Sequence, residues 1–334
     1  MKPEITAKEY FKAFMAGDYE KAYDLLSIDE SEFINEKYFG KLVQEMGCED
    51  VAHFEVDSVR SDSKSYAKTM RVTYRLRGET NDYTFDVNLE KSESKKFLFF
   101  DEWKVIPDRF LKKNVRIFVL KDSEVTIDDI KLGKDYLVSE TVDENADEYR
   151  IPAIFTGDYQ AQIKNSSFND YKASITVSGG DENDFYEDLS RVSMKTDALQ
   201  KVCKQAQADF QNMWNSAAKK EDFAKIKGVA MAKDTDELSN DYSNLVDKFI
   251  NEEGVGLKKL TFQDISINAN EDKTSGDSMK PVVKVEFETS YTYTSAYKDW
   301  WTGEIENQDG EGNYQGWMYY FYEDGKWVLY DTAL

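Results

Sequence analysis

Asp101-Glu102-Trp103-Lys104-Val105-Ile106-Pro107-Asp108 and Asp324-Gly325-Lys326-Trp327-Val328-Leu329-Tyr330-Asp331 are one phrase written twice, at the end of the first third of the chain and at its close. Each follows an aromatic run, Phe97-Leu98-Phe99-Phe100 in the first case and Trp317-Met318-Tyr319-Tyr320-Phe321-Tyr322 in the second. Further upstream, Ala16-Gly17-Asp18-Tyr19-Glu20-Lys21-Ala22 is echoed by Lys220-Glu221-Asp222-Phe223-Ala224-Lys225-Ile226, each within a helical run. Two helix-then-strand units with something different between them predict a repeated domain.

Periodicity fills in the units. Thr6-Ala7-Lys8-Glu9 has the form of a capping box, followed by a helical stripe of Tyr10, Phe11, Phe14 and Met15 that stops near Gly17. Asp18 is placed to cap a short second helix, and a third is expected from about Ser31 to Met46. The period then changes from 3.6 to 2: Met70, Val72, Tyr74 and Leu76 alternate with polar residues, as do Tyr83, Phe85, Val87 and Leu89. Helices followed by half-buried antiparallel strands make an α+β domain. The last third repeats the order. Leu199, Val202, Cys203, Ala206, Phe210, Met213, Trp214 and Ala217 define a long amphipathic helix. Helices over 221–227 and 238–250 follow, then strands in which Val283, Val285, Phe287, Thr289, Tyr291 and Tyr293 share a face.

Between the two units the helical signal vanishes. Val115–Val119, Tyr149–Ile151, Tyr159–Ile163 and Ala173–Val177 read as short strands, which suits a small β-sandwich. The junctions near 111 and 181 read as polar, with Gly179–Asp184 a linker and the acidic run Asp181–Asp188 a solvated one.

Helices before a curved antiparallel sheet with a terminal Trp-bearing strand resemble the nuclear transport factor 2-like cone, which is also the ketosteroid isomerase fold, over residues 1–110 and 185–334. Cone, sandwich and cone together resemble the extracytoplasmic region of the teicoplanin-resistance-associated bacterial membrane proteins. Those proteins carry a cytoplasmic zinc ribbon and one transmembrane helix upstream, neither of which lies within these 334 residues. Through Gly17-Asp18-Tyr19-Glu20-Lys21-Ala22-Tyr23 the first cone is also similar to the N-terminal domain of methicillin-resistance penicillin-binding proteins. The resemblance implies three domains: a cone over 1–111, an Ig-like sandwich over 112–180 and a second cone over 181–334. It also implies an extracytoplasmic place on a bacterial cell surface, with a membrane anchor upstream of Met1-Lys2-Pro3, and it brings no agreed catalytic residues.

Composition narrows function. The net charge is −22, from 43 Lys+Arg against 65 Asp+Glu, and residues 181–334 alone carry −13. No segment is basic, so phosphate-backbone binding lacks its driving force and no nucleic-acid partner is expected. The same acidity disfavours docking on anionic lipid, and no run of 18 apolar residues occurs. Cys48 and Cys203 stand apart from each other and from any Cys/His cluster, so neither a zinc site nor an intramolecular disulfide is expected. Cys203, on an apolar helical face, reads as a buried inert thiol.

The chemistry-bearing candidates are few. His53 is the only histidine, and with Glu55 and Asp57 on the same strand it reads as solvated rather than as a general base. Asn307-Gln308-Asp309-Gly310-Glu311-Gly312 superficially resembles a calcium loop, but Met318 stands where the bidentate Glu is required. That segment reads instead as a Gly-rich hairpin connection, part of a loop of about twenty residues from Tyr297 to Trp317. Tyr291, Tyr293, Tyr297, Trp300, Trp301 and Tyr314 concentrate aromatic surface there and form the expected ligand or partner surface, with the loop folded over the open end of the second cone. No catalytic set, metal or cofactor is expected. The leading expectation is a non-enzymatic envelope binding or spacer protein that holds a cell-wall fragment, peptide or partner protein. The alternative is a ketosteroid isomerase-like enzyme acting on a small apolar molecule.

Overall fold

The computed structural model describes residues 2–46, 50–59, 66–96, 100–139, 145–179, 184–233, 235–277 and 280–333. Cys48, Phe97–Phe99 and the first part of the acidic run, 181–183, lie outside the described residues.

Helices and antiparallel sheets alternate along the chain. Helix α1 (Pro3–Met15) opens at Pro3, whose fixed φ and missing N–H suit a first helical position. Thr6 is therefore buried inside the helix rather than capping it. Asp18 caps α2 (Tyr19–Tyr23), accepting from the Lys21 N–H at 3.3 Å. Helix α3 is shorter than expected, Glu36–Met46, because Ser31 and Ile34 close a turn on themselves and Asn35 accepts from the Tyr38 N–H at 3.2 Å. Strands β1 (Val51–Ser58), β2 (Ala67–Leu76), β3 (Tyr83–Lys96) and β4 (Phe100–Val105) form a sheet in chain order. Its apolar face, with Met70, Val72, Phe85, Val87 and Leu89, covers Tyr10, Phe11 and Phe14 of α1.

The middle unit has two sheets. Strands β5 (Leu111–Leu120), β6 (Glu124–Ile127), β7 (Ile130–Lys131), β8 (Ala146–Phe155), β9 (Gly157–Lys164), β10 (Tyr171–Val177) and β11 (Asp184–Tyr186) are ordered β10-β9-β6-β7 and β11-β5-β8. The acidic run is thus not all linker: β11 pairs in parallel with β5, and Glu187 beyond it is buried. Its carboxylate accepts from the Leu120 N–H and the Tyr171 hydroxyl, both at 2.5 Å, which satisfies two donors of the middle unit. The junction near 111 also differs from expectation. Phe39 packs against Phe155 and Tyr38 against Tyr159, each pair tilted with ring centroids 5.6 Å apart, so the first two units share one apolar cluster.

The C-terminal unit begins with α4 (Thr196–Ala218). The segment expected as a helix over 221–227 makes only one 3₁₀ turn, Phe223–Lys225, before α5 (Asp236–Asp247). Strands β12 (Gly256–Asp277), β13 (Lys280–Lys298), β14 (Ile305–Glu323) and β15 (Lys326–Ala333) again pair in chain order. The sheet's inner face meets Ala206, Phe210, Met213 and Trp214 of α4.

The written repeat is a structural one. Ser27 N–H donates to Val105 O and Val105 N–H to Leu25 O, both at 2.8 Å; Ala232 N–H donates to Leu329 O at 2.9 Å and Leu329 N–H to Ala230 O at 2.8 Å. In each unit the segment after the second helical turn is thereby clasped in parallel to the last strand, two residues past a buried Trp103 or Trp327. The helix ends match too. Asp18 N–H reaches Ala13 O and Glu221 N–H reaches Ser216 O, across the left-handed Gly17 (φ 70°) and Lys220 (φ 53°).

Candidate functional site: an aromatic groove on the C-terminal sheet

Strands β13 and β14 run paired over nearly their whole length, from Val282–Phe321 to Lys298–Ile305. The connection between them is therefore 299–304, not the long loop expected from 297 to 317. Asn307–Gly312 is strand, and its glycines have a different purpose. Tyr291 lies opposite Gly312 and Tyr293 opposite Gly310. A Cβ on Gly310 would sit 2.5 Å from Tyr293 Cζ, and one on Gly312 would sit 2.8 Å from Tyr291 Cζ. Each phenol ring lies across the bare backbone of its cross-strand partner, a place only glycine leaves open.

On the other side of β13, Phe262 pairs with Tyr291 and Leu260 with Tyr293. These side chains and Tyr314 floor a groove of about 490 Å³, walled by Trp214, Lys248, Gly256 and Leu257. The indole of Trp214 meets Phe262 edge-on at 5.2 Å and Tyr314 at 6.2 Å. Tyr314 is tied down by its hydroxyl, which donates to Ala333 O. Burial pushes its pKa up to about 12, so the phenol stays neutral.

Of the residues expected at the site, Tyr291, Tyr293 and Tyr314 come together in this groove. Tyr297, Trp300 and Trp301 do not line it. Tyr297 is exposed and donates to its cross-strand neighbour Glu306 at 2.8 Å, while Trp300 and Trp301 are 84% and 78% exposed at the hairpin tip. The two indoles meet edge to face at 4.7 Å. Their turn is well organised: Asp299 Oδ1 accepts from the Trp301 N–H (2.9 Å), the Thr302 N–H (2.6 Å) and the Thr302 hydroxyl (2.9 Å). These donors hold the Asp299 carboxyl below the usual range.

The reading from sequence missed Trp214, Lys248 and Phe262. It also missed Asp209, a carboxylate on the inner face of α4, which is 1% exposed and accepts from Tyr320 Oη at 2.9 Å. Burial raises its pKa to about 6 against the hydrogen bonds of Tyr320 and Gln205. The pair is sealed within the core and lines no part of the groove. His53 stands on β1 with its ring 3.4 Å from Glu55, both exposed. Cys203 is half-buried, and burial raises its thiol pKa. Among the described residues no group of three or more His, Cys, Asp or Glu is placed to hold a metal ion.

Against known proteins, the chain matches no family model, no curated protein and no solved structure.

Proposed function

We propose that this chain is a non-enzymatic binding protein of the bacterial envelope that holds a cell-wall fragment, a peptide or a segment of a partner protein in the aromatic groove of its C-terminal unit. In this reading both outer units are nuclear transport factor 2-like cones flanking an Ig-like sandwich, and the chain acts outside the cytoplasm. The observation that carries the binding role is the groove itself, about 490 Å³ and floored by Tyr291, Tyr293, Tyr314, Phe262 and Leu260. Its size falls within the range of ligand pockets, and aromatic walls with polar tips suit sugar rings and extended peptides alike. The envelope setting rests on the resemblance alone; among the described residues no helix is long and apolar enough to cross a membrane.

The isomerase-like alternative asks for an inward carboxylate of raised pKa in a cavity. Asp209 meets the first condition and not the second, because it is buried in the core, where Tyr320 and Gln205 both donate to its Oδ2. A carboxylate that no bound molecule reaches transfers no proton to one.

Retention on purified peptidoglycan and on immobilised envelope peptides tests the binding role. Wild-type protein should be retained on one of them, and Tyr291→Ala/Tyr293→Ala should be released while still folded by circular dichroism. A wild type retained on neither, with unaltered tryptophan fluorescence, would leave only the spacer role.

A further inference from the structure

Strand β14 has a free side. Its pairing with β13 runs from Val282–Phe321 to Lys298–Ile305, whereas its pairing with β15 begins only at Trp317–Ala333. Over 305–316 no second strand lies beside it among the described residues. In an antiparallel ladder the N–H and C=O groups of every second residue then point outward, a template for one more strand. Devices that usually blunt such an edge are missing: the β13–β14 register runs without a shift, and 305–316 contains neither proline nor lysine.

The two faces of this edge differ. On the inner face Gly310 and Gly312 carry no side chain, and the tips of Tyr293 and Tyr291 overhang them. A Cβ on Gly310 would sit 2.6 Å from Tyr293 Oη, and one on Gly312 would sit 2.8 Å from Tyr291 Oη. On the outer face Asp309 and Glu311 line a hollow of about 490 Å³ with Thr292, Thr294 and Lys259. The hydrogen bond that Asp309 accepts comes from a neutral hydroxyl, Thr294 Oγ1 at 2.6 Å. Lys259 stands two strands inward, on β12 opposite Thr294, and Lys258 donates to Asn307 Oδ1 at 2.6 Å. No Lys or Arg occurs between Lys298 and Lys326, so β14 itself meets an incoming strand with acid alone.

We infer that the edge of β14 over 305–316 takes an extended segment of a partner protein as an added strand, with Lys or Arg opposite Asp309 and Glu311 and uncharged residues opposite Gly310 and Gly312. Backbone hydrogen bonds hold such a strand, and the alternation sets its register. Opposite charges directly across a strand pair stabilise it and like charges weaken it. A second copy is the poorer occupant for that reason: two β14 edges laid antiparallel bring the acids of each against the other. The inference goes beyond the groove reading, since the added strand is bound by backbone at the rim of the sheet and not by rings on the groove floor.

Hydrogen exchange read by NMR on the full chain tests this with three capped hexapeptides: alternating lysine and valine, the same with glutamate for lysine, and the lysine peptide N-methylated throughout. The lysine peptide should bind about tenfold or more tightly than the glutamate one, and it should slow exchange at alternate amides within 305–316. N-methylation, which removes every backbone donor, should weaken binding by about as much. Asp309→Lys/Glu311→Lys, checked by circular dichroism, should reverse the charge preference; if that variant does not fold, the three peptides on the wild type decide. Equal binding of the two charges, a lysine preference that survives the double substitution, undiminished binding after N-methylation, or protection confined to other strands overturns the inference. So does the absence of binding at millimolar concentration, or a wild-type dimer that already protects 305–316. Retention on peptidoglycan that depends on Tyr291 and Tyr293 would in each of these cases leave the groove reading standing.

Discussion

Tyr320 donates to the Asp209 carboxylate at 2.9 Å from β14 to α4, and neither residue is reached by solvent. The Asp209 pKa stands at about 6 in the folded chain, against 3.8 for an unburied carboxyl. The fold therefore binds the proton more tightly than the unfolded chain does. Stability from this group is greatest below pH 4, falls as pH rises to about 6 and is level above. Over that window the loss is about 2–3 kcal/mol. Asp209→Asn removes the titration, so the gap in unfolding free energy between wild type and variant should shift toward the variant by that amount from pH 4 to pH 7. A gap that stays constant across the window would show that the carboxyl is not perturbed.

Tyr293 and Gly310 form a lock between strands. Gly310→Ala should cost about 1–3 kcal/mol, because the new methyl meets the phenol ring and must displace it. In Tyr293→Ala the same glycine change should be nearly neutral, a coupling that a double-mutant cycle in urea would measure. Additive losses would mean the ring does not rest on Gly310.

Trp103 and Trp327 are 5% and 9% exposed in matching places, each two residues before a clasped backbone. Alanine at either should cost about 3–5 kcal/mol. Denaturant unfolding of the two variants should show comparable losses; a loss under 1 kcal/mol at one site would break the equivalence.

Phe155 is fully buried and packs against Phe39 across the first junction. Calorimetry should therefore show the N-terminal and middle units melting together. Phe155→Ala, at about 3–5 kcal/mol, should lower that shared transition. Separate melting of the first two units would contradict a shared core.

Trp300 and Trp301 touch mainly each other at the hairpin tip. Replacing both with Ala should change stability by no more than about 0.5 kcal/mol. Groove ligands should bind as before, since neither indole lines it. A loss of peptidoglycan or peptide retention in the double variant would place the tip at the site after all.

The helices and strand faces were legible because burial follows period: Tyr10, Phe11 and Phe14, Met70 and Val72, and Val283, Val285 and Phe287 all lie inside. The α4 stripe was read from Leu199 to Ala217, but Asp209 lies on the inner face with Val202, Ala206 and Met213, so its helical position alone marked it for burial. The site was only half legible. Glycine usually punctuates a chain, so Gly310 and Gly312 read as loop, whereas here they make room for rings from the next strand, a fact of pairing register that no single segment carries. Lys248 and Trp214 reach the groove from two helices and were invisible for the same reason. The first junction looked polar because the residues that bridge it, Phe39 and Phe155, each satisfy the pattern of their own unit.

The clasp of Ala230 and Ala232 on Leu329 also has a temporal meaning. A chain made from its N-terminus completes α4 and α5 long before β15, and the β13–β14 hairpin can zip from its Asp299 turn in about 1–10 μs once both strands are present. Until Trp327 and Leu329 arrive, the inner faces of helix and sheet have nothing to hold the segment between them. Closure of the C-terminal unit is thus deferred until β15 has been made, and a chain stopped before Lys326 would present that apolar surface to its neighbours in the cell.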